Sequence, residues 1–588
     1  MMYVHPALIM IIGALLAPLT KGVVRKCVMV ATPVIAFYIV TTMYSMTPGD
    51  YGVMNYLGFE LITSRIDKLA LVFLHVFTLM AIIGAVYALH VEDSSQHTAG
   101  FLYVAGSLGT TLAGDYLTLF VFWELMAVAS TFLVWARREK RSIAAGYRYL
   151  LMHTFGGLVL LAGIFLRYHE VGSMEFTAML PEHAGVAEYL ILLGFALNAA
   201  MVPLHAWLPD AYPEATVTGA VFMCAFTTKT AVYVLARGFA GFELLAIMGA
   251  VMTLYGVGYA VIENNARRIL AYHIISQVGY MVCGIGIGTE MAVNGAVAHA
   301  YAHILYKALL FMGVGAVLEM AGTADLSKLG GLYKRMPVAM VFTIIGGIAI
   351  SGFPLTSGFV SKSMVIAGAG NAHEIGLMLM LTLAAVGTFL SVGIKLPYFI
   401  WFGKDSGVEP KKKLPWNMVV AMGIAGFFCI FIGVVPGWLY KMLPFAVDYQ
   451  PYSAYHLSET FQLLGFTALG FYVLRKKMVP KEKLNLDLDI FYRRALDGFM
   501  AFARNPISPV NEWVSELYRV VGYRIALGAA AIASRFDVSI IDGVVDGVAH
   551  KVRETGDYVR HAQTGKLQQY IAIAISAFFL LVLLVANI

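Results

Sequence analysis

Runs of about twenty consecutive apolar residues recur from one end of this chain to the other. A helix rises about 1.5 Å per residue, so each run matches a hydrocarbon core about 30 Å thick. Cutting at polar and turn-forming clusters places spans at 4–20, 27–44, 68–90, 98–114, 116–136, 143–167, 186–204, 216–236, 240–262, 269–288, 291–320, 337–370, 375–402, 417–440, 457–474 and 568–587. The expected fold is an all-α polytopic membrane protein of about sixteen transmembrane helices. Composition agrees: only 13% of the 588 residues are charged and 60% are hydrophobic. A soluble chain carries about 25% charged and 45–50% apolar residues, so a soluble multidomain protein is excluded.

The same reading closes off several chemistries. The four cysteines, Cys27, Cys224, Cys283 and Cys429, are far apart, and no CxxC or Cys/His spacing supports a disulfide framework or a metal cluster. The run Gly284-x-Gly286-x-Gly288 ends an apolar helix and is not a nucleotide loop, and no Walker loop is present. No cofactor, metal, nucleic acid or redox chemistry is expected of the chain itself. The first apolar run has no basic n-region and no small-residue cleavage motif, so it reads as a first span.

Two spans are irregular. The segment 337–370 is too long for one helix and carries Gly352-Phe353-Pro354 at its centre, while 186–204 runs into Pro203 and a polar stretch ending at Asp210. Broken helices at membrane depth face protein or a wet cavity. Loop charges set the orientation. Twenty-one lysines and arginines, from Lys21, Arg25 and Lys26 through Arg137, Arg267 and Lys328 to Lys481 and Lys483, fall on one side. Five fall on the other: Arg65, Lys68, Arg167, Arg237 and Lys441. The positive-inside rule puts the richer side in the cytoplasm and the N-terminus outside, in a multi-pass bacterial or archaeal cytoplasmic membrane protein.

Residues 484–567 change character. Charge rises and apolar residues take helical spacing, as at Ile541, Val544, Val545, Val548 and Val552. This reads as an amphipathic segment on the membrane surface or along partner subunits, anchored by the span at 568–588. Pro506 and Pro509 are expected to break or kink it. A plain cytoplasmic linker is the alternative.

Ionisable groups at bilayer depth cost several kcal/mol, so each is a functional candidate. Glu124 sits near the middle of its span, and Lys229 lies past the middle of another. A carboxyl held protonated by burial and a lysine snorkelling to the surface are their bland alternatives. His299, His303 and Lys307 are four residues apart and stack along one helical face, the pattern of a proton relay. The histidine pair lacks a third ligand nearby in sequence, and packed histidines are the other reading. Lys362 follows the Gly-Phe-Pro break, where carbonyls and water are available to it. Lys395, His153 and His273 are lesser candidates, the lysine because it could snorkel, the histidines because packing explains them equally.

Five motifs in order carry a resemblance: Phe122-Trp-Glu-Leu125; Pro203-Leu-His-Ala-Trp-Leu-Pro-Asp-Ala211; Arg268-Ile-Leu-Ala-Tyr-His-Ile-Ile-Ser-Gln-Val-Gly-Tyr280; His303-x3-Lys-Ala-Leu-Leu-Phe311; and Gly358-Phe-Val-Ser-Lys362. Over roughly residues 60–405 the chain resembles the antiporter-like membrane subunits of respiratory complex I, membrane-bound hydrogenases and Mrp-type Na⁺/H⁺ antiporters. The core is similar to the Mrp D-type subunit, and the tail to the L-type subunit of complex I. The resemblance implies N-terminal helices at 1–97, inverted five-helix repeats at 98–236 and 240–402, further helices at 403–483, and a lateral helix and anchor beyond. It implies Glu124 as carboxylate of the first half-channel, Lys229 as bridging lysine, His299, His303 and Lys307 as central relay, and Lys362 as residue of the second half-channel. One departure stands out: Asn198 occupies the place where the family usually has a lysine, so Glu124 lacks its cationic partner unless another base, such as His153, serves.

The expected function is a proton- or Na⁺/H⁺-translocating, non-redox subunit of a multi-subunit complex, with other membrane subunits and the lipid bilayer as partners. The complex could be Mrp-like or related to NADH-quinone oxidoreductase. The rival expectations are a structural scaffold whose tail clamps its neighbours and a self-sufficient secondary transporter.

Overall fold

In the computed structural model, residues 3–482, 485, 487–561 and 563–586 are described. Lys483, Leu484 and Asn587, which the sequence reading assigned to a basic loop, the start of the tail and the end of the last span, lie outside the described residues. The chain divides into two compact units, Met1–Asp489 and Ile490–Ile588.

The first unit opens with α1 (Pro6–Leu19) and α2 (Gly22–Met43), then a β-hairpin, β1 (Gly49–Tyr56) and β2 (Phe59–Ile66), paired from Gly49–Ile66 to Tyr56–Phe59. The helical series resumes with α3 (Lys68–Tyr87), α4 (Ser94–Leu112), α5 (Tyr116–Trp135) and α6 (Lys140–Val171). Next come α7 (Val186–Asn198), α8 (Trp207–Ala211), α9 (Val217–Met223), α10 (Thr227–Gly238), α11 (Glu243–Ile262), α12 (Ala266–Ile287) and α13 (Glu290–Ala321). The unit closes with α14 (Pro337–Ser351), α15 (Ser357–Asn371), α16 (Ile375–Thr388, continued by wide π turns to Phe402), α17 (Trp416–Val434), α18 (Pro436–Tyr440) and α19 (Ala454–Leu474). Over both units, twelve helices among the described residues are long and apolar enough to cross a membrane. The remaining predicted spans fall on α1, on α4, and on the broken pairs α7–α8 and α14–α15.

The two expected interruptions lie at residues 199–206 and 352–356, and each holds a non-glycine residue at positive φ, Ala200 and Leu355. A third break was not expected. The span read as continuous over 216–236 is split into α9 and α10 at Cys224–Phe226. No proline or glycine marks it, so composition carried no sign of it.

The helices repeat in order. The Asp115 carboxylate caps α5, and Asn265 caps α12 in the same way. Asp115 pairs by backbone bridge with Glu175, and Asn265 with Asp325. Each set contains a 32-residue helix, α6 or α13, closed by a left-handed glycine, Gly172 or Gly322. Each of these landmarks in the second set lies about 150 residues after its counterpart in the first, as at Asp115 and Asn265 or Gly172 and Gly322.

Ion pairs sort the loops into two faces. Arg138 meets Asp93, Arg137 meets Glu214, Lys328 meets Glu482 and Arg335 meets Asp405, all on the lysine- and arginine-rich face. Arg65 holds Asp50 and Glu175, and Arg237 holds Asp67, on the face of the β-hairpin. Between α12 and the first broken helix lies Arg267, fully buried and donating to the carbonyls of Tyr212, Pro213, Ala215 and Thr216. It satisfies backbone acceptors that the short helical turn around Tyr212 cannot satisfy itself.

The second unit is helical from Ile490 to Arg560 through α20 (Asp489–Phe502, its first residue the last of the first unit), α21 (Ser508–Leu517), α22 (Arg524–Phe536) and α23 (Gly543–Arg560), followed by α24 (Leu567–Ala586). Pro506 and Pro509 do not stop it. A wide π turn at Ala503–Ile507 takes up Pro506, and Pro509 sits in the first turn of α21, where its missing N–H is tolerated. Two more π turns, Tyr518–Tyr523 and Asp537–Asp542, follow. Side chains of this unit are exposed along its length.

Candidate functional site

The centre of the first unit is α13, whose His299, His303 and Lys307 side chains are wholly buried. Their i, i+4 spacing puts them on one stripe, and that stripe faces α9, α10, α12 and α15. The His299 and His303 ring centroids are 6.3 Å apart, with Tyr306 5.2 Å from His303. Lys307 Nζ donates to the Leu270 carbonyl of α12 at 3.2 Å. Both nitrogens of His303 lack a hydrogen-bond partner among the described residues.

His299 has a defined setting. The Ser361 hydroxyl donates to the Ser357 carbonyl at 2.9 Å, so His299 Nδ1–H is the donor to Ser361 at 3.0 Å. Its Nε2 is left facing the Tyr306 hydroxyl and the Gln277 amide, both at 3.3 Å. The Tyr280 ring then joins this histidine to Lys362: its centroid is 5.6 Å from the His299 ring and 5.3 Å from Lys362 Nζ. Tyr280 and Gln277 were not singled out from the sequence. Both fall inside a quoted motif, but a tyrosine and a glutamine in an apolar span carry no charge signal.

The two outer lysines are held alike. Lys362 Nζ donates to the Ile350 carbonyl at 2.7 Å, and Lys229 Nζ to the Cys224 carbonyl at 2.6 Å and the Thr228 hydroxyl at 3.0 Å. Both carbonyls lie at helix interruptions, where the break frees an acceptor that an intact helix would use. Lys229, Lys307 and His303 lie within one another's electrostatic reach. Lys362 also lines a cavity of about 530 Å³ that includes Asp448, Tyr449, His456 and Glu459 on the hairpin face.

The first half is built differently. Glu124 of α5 is partly exposed and leans on α6 at Gly157, where a Cβ would lie 2.0 Å from Glu124 Oε1. His153 does not pair with Glu124. Its Nδ1 is 2.8 Å from Asn198 Oδ1, and its ring sits against Tyr149 and Trp207. At the displacement of the repeat, His153 corresponds to His303 and Gly157 to Lys307. The Glu124 carboxyl thus occupies the space beside Gly157, the position that corresponds to Lys307 in the second half.

The lesser candidates separate. His273 meets Ser391 at 2.6 Å on the π turn of α16. Lys395 donates to the carbonyls of Val261 and Glu263 at 2.6 and 2.8 Å, capping the end of α11. That seat suits a cation at a helix C-terminus.

These features describe a polytopic helical bundle with broken helices around a buried row of lysines and histidines. Over residues 113–391 the chain matches the family described as "NADH:quinone oxidoreductase/Mrp antiporter, TM". It is 28% identical to hydrogenase-4 component B of Escherichia coli (strain K12) over 425 residues, covering 64% of this chain and 63% of that protein. It is 27% identical to F(420)H(2) dehydrogenase subunit L of Methanosarcina mazei over 588 aligned residues, 88% of this chain and 87% of that one. The chain thus spans less than two thirds of the hydrogenase component but most of the L subunit. In fold it is similar to a chain of the Mrp complex from Dietzia sp. DQ12-45-1b, with a TM-score of 0.66, 21% identity, and coverage of 79% of this chain and 98% of that one.

Proposed function

We propose that this chain is a proton- or cation/proton-translocating subunit of a multi-subunit membrane complex, with protons moving along Lys229, Lys307, His303, His299 and Lys362. The observation that carries this reading is the set of buried protonatable groups on α10, α13 and α15 that lies between the two helix interruptions holding Lys229 and Lys362. A proton arriving at Lys307 raises the cost of charge on Lys229 and His303, so charge moves onward and does not accumulate. Lys362 delivers it to the cavity lined by Asp448, His456 and Glu459. In this reading the arginine-rich face is cytoplasmic and the hairpin outside, in a bacterial or archaeal cytoplasmic membrane, and Glu124 is the carboxylate of the first half-channel.

The tail supports a second role beside transport. Residues 490–588 form their own unit with apolar side chains such as Trp513, Phe536 and Val545 exposed, which suits contacts with partner subunits and lipid. The purified complex, with and without residues 490–588, tests both roles in vesicles carrying a pH-sensitive dye. Expected is a complex that loses neighbouring subunits while any that stays assembled still moves protons sensitive to Lys229→Ala. Proton flux indifferent to Lys229→Ala in both forms would leave only the scaffold.

A further inference from the structure

A basic pocket on the lysine- and arginine-rich face belongs neither to the transport row nor to the tail. Helix α1 ends at Leu19, the Thr20 hydroxyl donates back to the Leu16 carbonyl at 3.0 Å, and the chain turns through Lys21 into α2. Gly22 takes a φ of +57°, and a Cβ there would meet nothing within 4 Å, so the turn is open on that side. Arg25 ties this turn to the loop between α3 and α4. Its Nε donates to the Thr20 carbonyl at 2.8 Å and its Nη1 to the Glu92 carbonyl at 2.5 Å. The two segments together line a cavity of about 360 Å³, with Lys21, Arg25 and Lys26 on one and the apolar Leu89 and Val91 on the other.

We propose that this pocket binds the phosphate headgroup of an anionic phospholipid, with Arg25 as its fixed contact and Lys21 and Lys26 beside it. Three observations carry the assignment. The first is uncancelled charge. Elsewhere on this face Arg137, Arg138, Lys328 and Arg335 each meet a carboxylate, whereas Lys21, Arg25 and Lys26 meet none among the described residues. Backbone carbonyls hold the Arg25 guanidinium in place without neutralising it, and a guanidinium so fixed suits the oxygens of a phosphate. Among the described residues Glu92 is the one carboxylate lining the pocket, and His90 is taken up by Asn417 at 3.0 Å and Glu319 at 3.4 Å. Three cations therefore face one anion.

The second is the apolar surface beside it. Leu15, Leu16 and Leu19 in the last turns of α1 and Val23 and Val24 in the first turn of α2 are all exposed, Leu19 by 79% and Val23 by 76%. A phospholipid supplies an anion and hydrocarbon in one molecule, matching cations that adjoin exposed leucine and valine, whereas a free phosphate meets the cations alone. Basic pockets beside membrane-spanning helices recognise anionic headgroups in this way. The third is size. A cavity of about 360 Å³ lies toward the small end of the range of about 300–1,000 Å³ for small-ligand sites. It admits a headgroup, while a single helical turn of a partner, about 10 Å across and about 5.4 Å long, already exceeds it.

The test uses the full-length chain, purified in detergent and stripped of lipid, with the unfolding temperature followed as phosphatidylglycerol, phosphatidylcholine or inorganic phosphate is added. The expected result is a saturable rise with phosphatidylglycerol and none with the other two. Lys21→Gln combined with Lys26→Gln, both exposed side chains without a partner that folding needs, is expected to lower the apparent affinity for phosphatidylglycerol about thirty-fold, or about 2 kcal/mol. Lys412→Gln combined with Lys413→Gln, on the same face outside the pocket, leaves that affinity unchanged. An equal response to phosphatidylcholine, or an equal loss in the Lys412/Lys413 variant, overturns the site in favour of unspecific attraction. An equal response to inorganic phosphate overturns the lipid and leaves a free-anion site. Loss of a co-purifying subunit from the Lys21/Lys26 variant, with its response to phosphatidylglycerol intact, overturns it in favour of an acidic segment of a partner.

Discussion

Replacing Lys307 by arginine is expected to stop proton movement although it keeps a positive charge. Lys307 is wholly buried and held by one backbone carbonyl, with Lys229 and His303 as its electrostatic neighbours. A relay needs a group that gains and loses its proton at each turnover. An arginine does not lose its proton in a protein, so it would hold a fixed charge in the row and raise the cost of any proton entering His303. Lys307→Ala removes the carrier outright. Each variant is expected to lower the initial rate of pH-gradient formation about 100-fold, equivalent to a barrier higher by about 2.7 kcal/mol. A native gel showing the assembled complex separates this loss from misfolding. An arginine variant that transports at the wild-type rate would reduce Lys307 to a source of fixed charge.

The second large effect concerns the packing that holds the row in place. Helices α11 and α12 approach backbone to backbone through glycines. A Cβ on Gly286 would stand 2.0 Å from the Ala246 nitrogen, and one on Gly249 2.3 Å from the Cys283 nitrogen. These contacts are with main-chain atoms, which cannot swing aside as a side chain can. In a membrane, where lipid is as apolar as leucine, helix pairs of this kind hold together by such close fit. Gly286→Val forces the pair apart, and overpacking of this sort costs about 1–3 kcal/mol or more. Since α12 carries His273, Gln277 and Tyr280, the displacement also opens the contacts of His299. The variant is expected to lower the yield of assembled complex several-fold and the temperature at which it unfolds. Wild-type yield and unfolding temperature would show that α11 and α12 do not depend on this approach.

Much of this arrangement was readable from the residues. Long apolar runs locate spans because lipid leaves the backbone few alternatives, and the i, i+4 spacing of His299, His303 and Lys307 already places them on one stripe. Charges stood out for the same reason: few occur at membrane depth, and each costs energy. What stayed hidden depends on contacts between distant segments. Tyr280 bridges Lys362 and His299 only because α12, α13 and α15 converge. Cys224–Phe226 breaks a helix without any helix-breaking residue. In the hairpin at residues 49–66, β1 is exposed nearly throughout and gives no period-two signal, and only Leu61–Ile66 of β2 alternates, too short a stretch to stand out between apolar spans. Pro506 misled for a local reason, since a π turn absorbs the proline that a regular helix would not.

The account stands or falls on whether the buried row carries protons. The direct measurement is the initial rate of acidification in vesicles that contain equal amounts of the assembled complex, wild type or with Lys229→Ala and Lys307→Ala combined. The predicted result is a rate at the level of protein-free vesicles for the double variant, with subunit composition unchanged. Proton movement at the wild-type rate in the double variant would contradict it.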